Sequence, residues 1–136
     1  MFLENLARLW YYSGMTQRYW VYDPQSGGVK IPPDVQKQTY ERIMVHAHKI
    51  RPKQAENVRI RFKSQFCYIN CLAEVNGRME PMQRCRLRYF GKPDEWSMAF
   101  FTYSNEKYEP CIFASGKWLG TPEEAFEIGA VYLTEE

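Results

Sequence analysis

The spacing of apolar positions along this chain alternates between the helical period and the strand period. Residues 2–12 repeat Phe2, Leu6, Leu9 and Trp10 at helical spacing, and residues 17–22 (Gln-Arg-Tyr-Trp-Val-Tyr) look like a strand. Asp23-Pro24-Gln25-Ser26-Gly27-Gly28 is a turn or exposed loop, and Val29-Lys30-Ile31 predicts a short returning strand. Pro32-Pro33-Asp34 then opens a helix, because a first-turn proline lacks only an N–H that would have no helical acceptor. Val35, Tyr40, Ile43, Met44, Ala47 and Ile50 make its apolar stripe. It must stop before Pro52, since the residue preceding a proline is driven out of the α region.

From about residue 57 the period becomes two. Val58, Ile60 and Phe62 alternate with Arg59, Arg61 and Lys63. Cys67, Ile69, Cys71, Ala73 and Val75 alternate with Phe66, Tyr68, Asn70, Leu72 and Glu74. Asn76-Gly77 signals a tight hairpin. Cys85, Leu87 and Tyr89 alternate with Arg84, Arg86 and Arg88, and Gly91-Lys92-Pro93-Asp94 turns the chain. Residues 96–103 are apolar on both faces, as a central strand would be. Residues 110–114 and 117–119 predict a last hairpin around Ser115-Gly116. Thr121-Pro122-Glu123-Glu124 is a capping box with proline at the first helical position. It starts a helix with Ala125, Phe126, Gly129, Tyr132 and Leu133 on the buried stripe.

Strands joined by short turns pair antiparallel. The expected fold is therefore α+β: an antiparallel sheet of about five strands with helices packed on one face, a two-layer sandwich. Residues 32–136 form the helix–sheet–helix core of one domain, and residues 1–31 form an aromatic-rich N-terminal extension. At 136 residues, with 45% hydrophobic and 25% charged, the chain can bury a core without disulfides. Nothing approaches a membrane-spanning apolar run, and the first residues lack the basic, then apolar, pattern of an export signal. A cytoplasmic location and reduced thiols follow as expectations.

Several segments resemble a family of small uncharacterised bacterial proteins. They are Arg61-Phe62, Phe66-Cys67-Tyr68-Ile69, Arg86-Leu87-Arg88-Tyr89, Tyr103-Ser104, Lys107-Tyr108-Glu109, Ser115-Gly116 and Gly120-Thr121-Pro122-Glu123-Glu124-Ala125-Phe126. The likeness runs from about residue 40 to 133. That family has no assigned activity, so the resemblance implies no catalytic or binding residue.

Charge is where the sequence says most about function. The net charge of +2 conceals a basic middle and an acidic end. Residues 42–92 hold twelve Lys/Arg against three acids, net +9, whereas residues 93–136 hold two lysines against nine acids, net −7. Either the middle meets an anionic partner or the fold neutralises itself. Arg59, Arg61 and Lys63 share one strand face, and Arg84, Arg86 and Arg88 share another. In one sheet the six would project from the same surface, with Phe66 and Tyr68 between them. Cations around aromatic rings suit single-stranded nucleic acid, whose bases stack while its phosphates are neutralised. Single-stranded nucleic acid is therefore the leading specific candidate, an acidic protein is the second, and a plain solvated face is the alternative to both.

Trp10, Tyr11, Tyr12, Tyr19 and Trp20 are candidates for a partner interface, including a second copy of the chain. No metal and no cofactor are expected. Cys67 and Cys71 are separated by ~13 Å along a strand, too far to share one zinc ion. Cys67, Cys71 and Cys85 fall on the apolar face as small buried hydrophobes. His46 and His48 diverge on a helix, being ~200° apart around its axis. There is no phosphate-binding glycine loop and no nucleophile elbow. The sequence therefore predicts a non-enzymatic binding protein, or alternatively a protein-interaction or self-assembling module.

Overall fold

The structure, a computed structural model, describes residues 27–133. The predicted helix at 2–12, the strand at 17–22 and the aromatic cluster Trp10, Tyr11, Tyr12, Tyr19 and Trp20 lie outside the described residues. The elements are α1 (Pro33–Ile50), α2 (Pro52–Ala55), β1 (Val58–Lys63), β2 (Phe66–Val75), β3 (Arg78–Tyr89), β4 (Trp96–Thr102), β5 (Lys107–Cys111) and α3 (Pro122–Leu133). The five strands form one antiparallel sheet in chain order.

One face of the sheet carries the core. Val58, Cys67, Ile69, Cys71, Cys85, Leu87, Tyr89, Trp96 and Met98 are buried there with Ile43 and Ala47 of α1 and Ala125, Phe126 and Ala130 of α3. This is the α+β two-layer arrangement that the period switch implies. The α1 stripe departs from expectation at one position: Tyr40 is exposed and Thr39 is buried in its place. The α3 capping box is present. The Thr121 N–H donates to Glu124 Oε1 at 2.8 Å, and the Glu124 N–H donates to Thr121 Oγ1 at 3.1 Å.

Three local expectations are corrected. Residues 29–31 are not a strand, although the Val29 N–H donates to Tyr89 O and the Ile31 N–H to Ser64 O. The last strand is Lys107–Cys111 rather than 110–114, and 117–119 is not a strand. The alternation over 83–90 predicts a strand only there, but β3 already starts at Arg78, immediately after the Asn76-Gly77 turn, whose two residues have φ of 54° and 80°. Positive φ at both central residues is the type I′ geometry that matches the twist of a hairpin. As a result the Leu72–Val75 and Arg78–Pro81 segments pair with each other beyond the ends of β1 and β4, as a two-stranded ribbon.

All four cysteines are free thiols, and burial pushes the Cys67 and Cys85 thiols up, Cys85 to about 12. A redox switch needs a thiolate, which such sites disfavour.

Candidate functional site

Pleat alternation sends Arg59, Arg61 and Lys63 of β1 and Phe66, Tyr68 and Asn70 of β2 to the face opposite the helices. Across the sheet one row reads Arg61, Tyr68, Arg86, Ala99, Pro110, and the next reads Lys63, Phe66, Arg88, Ser97. Two cationic strands thus flank an aromatic one. Neighbouring strands are ~4.8 Å apart, so the rings keep the like charges of β1 and β3 from direct opposition.

Arg84 does not extend the β3 row. The register slips between Ile69 and Asn70, so Gln83 comes opposite Asn70 and Arg84 is the extra residue of a bulge. Burial raises the Cys71 thiol pKa, and the Arg84 guanidinium pulls against that rise. Alternation from 84 to 89 taken alone does not show the bulge, because the slip reverses the phase only before that stretch, where Met82 comes opposite the core residue Cys71.

Arg86 and Arg88 are on the expected face but are only 7% and 2% exposed. The Arg86 guanidinium carbon lies 4.0 Å from the Phe66 ring centroid, 4.3 Å from Tyr108 and 5.8 Å from Tyr68. Ala99 stands between β3 and β5 with only a methyl group, which lets the guanidinium pass over it to Tyr108. The Tyr108 hydroxyl donates to Gln83 Oε1 at 3.0 Å, and burial raises its pKa to about 12 against the opposing charge of Arg86. Arg88 donates from Nε to Ser97 Oγ at 3.2 Å and lies 5.0 Å from the Phe90 ring. Gly28 passes so close that a Cβ there would come within 2.9 Å of Arg88 Cγ and 2.7 Å of Tyr89 O.

The β1 row is different. Arg59, Arg61 and Lys63 are all exposed. Arg61 rests over the outer face of Tyr68, 4.1 Å from its centroid. Arg59 folds back, its Nη1 donating to Glu56 O at 2.7 Å and Val58 O at 3.0 Å. Among the described residues, the ion pairs involve Arg42 and His46, and no carboxylate pairs with this row. The two candidate stackers, Phe66 and Tyr68, are half-buried and already carry guanidinium groups.

Charge is neutralised on the helix side instead. Arg42 of α1 makes a two-pronged contact with Glu123 of α3, at 2.8 Å and 2.7 Å, and reaches Asp94 at 2.8 Å. The hydrogen bonds to Glu123 raise the Arg42 pKa, and those from Arg42 hold the Glu123 carboxyl below the usual range. His46 Nε2 lies 2.7 Å from Glu127 Oε2. His48 is exposed and its Nδ1 bonds the Met44 carbonyl, whereas His46 meets Glu127, so the two imidazoles diverge as helical spacing requires.

Tyr108, Ser97 and Ala99 are not among the site residues expected from the sequence, yet Tyr108 contacts Arg86, Ser97 accepts from Arg88, and Ala99 lies between β3 and β5 beside Arg86. Finding Tyr108 requires locating the turn at residues 103–106, which contains neither glycine nor proline. Among the described residues no His/Cys/Asp/Glu group could hold a metal ion, and no helix is long and apolar enough to cross a membrane.

No family model matches the chain, and neither a curated protein nor a solved structure is significantly similar to it.

Proposed function

We propose that this is a small binding protein that engages an anionic chain along β1. The observation that carries this reading is the line Arg59–Arg61–Lys63: three exposed cations at alternate positions of an edge strand, with no carboxylate paired to them among the described residues. The inner row, Arg86 and Arg88, is buried and supports the sheet rather than the ligand. Recognition is then by repeated negative charge, with base stacking on Phe66 and Tyr68 secondary, because their faces are shared with Arg86 and Arg61.

The test is a titration with labelled oligothymidylate and with polyglutamate at several salt concentrations. Neutralising three phosphates predicts a log–log salt slope of about −2 for the single-stranded nucleic acid. The triple variant Arg59→Ala, Arg61→Ala, Lys63→Ala should fold normally and lose binding to both polyanions. Failure of the native protein to bind either one at low salt would refute the proposal, as would unchanged binding by the triple variant.

A further inference from the structure

The same strand has a second property, held by its backbone rather than its side chains. In an antiparallel pair, alternate residues turn both backbone groups toward the partner strand and the others turn them away. The Leu72 N–H donates to Asn57 O at 2.8 Å, which places Asn57 in the inward set. By the register, Arg59, Arg61 and Lys63 follow inward, and Val58, Ile60 and Phe62 point outward. Arg59 Nη1 takes the Val58 carbonyl, consistent with that carbonyl lying on the outer rim. Ile60 and Phe62 each present an N–H and a C=O to the outside, and among the described residues no strand pairs with that side.

An unpaired edge is a template for another strand unless it is blocked. At the other end of the sheet β5 contains Pro110, which has no N–H to offer. β1 has no proline and its register with β2 is unbroken.

We infer that β1 takes up an acidic, extended peptide segment of a partner protein as a sixth, antiparallel strand. The inference rests on the anion-binding reading above and names the partner class. Charge complementarity selects the occupant. A strand beside β1 would set alternate side chains on the open face next to Arg59, Arg61 and Lys63, where acidic residues fit. The intervening residues would lie beside Ile60 and Phe62 and exchange backbone hydrogen bonds with them. The phosphates of a nucleic acid could satisfy the cations and accept from an amide, but a nucleic acid has no regular run of N–H and C=O groups to pair with both backbone groups of Ile60 and Phe62.

The probe is a capped decapeptide of alternating Glu and Thr. Placing Glu on the cationic face makes the Thr amides point at β1 and the Glu amides point away. N-methylation of the Thr amides should weaken binding about tenfold, corresponding to two backbone hydrogen bonds at their usual net worth. N-methylation of the Glu amides should change it less than about threefold, since those groups face solvent. Equal tolerance of both methylation patterns, with binding still lost in the triple variant, would overturn strand addition while leaving the anion site intact. Tighter binding of oligothymidylate than of the peptide would overturn the choice of partner. Loss of all binding would remove both readings together.

Discussion

Arg61 and Arg86 sit two strands apart on the same row and illustrate how one residue type serves two ends. Arg61 is exposed and lies over one tyrosine, whereas Arg86 is buried among three rings. Cation–π contacts are worth ~0.5–1 kcal/mol at exposed sites and ~2 kcal/mol or more when desolvated. Arg86→Lys keeps the charge but loses the flat group that fits between rings. It should lower stability by about 2 kcal/mol in chemical denaturation, while Arg61→Gln should cost under about 1 kcal/mol. Equal losses would mean that burial does not separate the two residues. The sequence shows that arginines and rings alternate between neighbouring strands. It does not show which arginines are sealed in, because that depends on Ala99 and Tyr108, which come from strands later in the chain.

Among the elements, the start of α3 was the most legible, because a capping box is written within four consecutive residues. Its seating against the sheet was not. Gly120, just before the box, exchanges backbone hydrogen bonds with Trp96 at 2.8 Å and 3.0 Å. A Cβ there would come within 2.5 Å of the buried Phe113 ring and 2.8 Å of the capping carboxylate. Gly120→Ala should therefore cost about 1–3 kcal/mol, the range for overpacking a closed site, read as a shift of the denaturation midpoint. A loss below about 0.5 kcal/mol would show that Phe113 moves freely. β5 was the least legible element. The turn before it is Tyr103-Ser104-Asn105-Glu106, with Glu106 at φ 53°, and glutamate is not a residue that advertises a left-handed turn. The later Ser115-Gly116 signal marks a real turn, but its flanks do not form a strand pair.

Across the whole molecule, the uneven charge is resolved differently on the two layers. On the helix layer, the basic middle of the chain meets its acidic end through Arg42 with Glu123 and Asp94, and His46 Nε2 also contacts Glu127. On the sheet layer, the β1 cations keep no acidic partner among the described residues. The first contact has a pH signature. Arg42 holds the Glu123 pKa below its unfolded value, so the stability it adds is complete above the ordinary carboxylate pKa of about 4.3. That contribution drains away as pH falls through the lower folded value. Glu123→Gln should cost about 1 kcal/mol at neutral pH, as expected for a partly exposed pair. The gap to the native protein should narrow as the pH is taken below about 4.3, as followed by urea denaturation over a series of pH values. A gap that persists in acid would show that the glutamate acts through packing rather than charge.

The alternation of apolar and charged residues was enough to derive β1, β2 and the second half of β3, and with the caps and turns it gave the two long helices and their placement on one side of an antiparallel sheet. These are consequences of period, caps and turn residues, which act over a few neighbouring positions. Which cations face solvent, where the register slips at Arg84, and the meeting of Arg42 with Glu123 were settled only by packing. Each depends on residues brought together from distant parts of the chain: β2 against β3 for the bulge, β4 and β5 over Arg86, and α3 against α1 for the ion pair. A local pattern carries no information about such encounters, because the energy that decides them exists only once the layers are stacked.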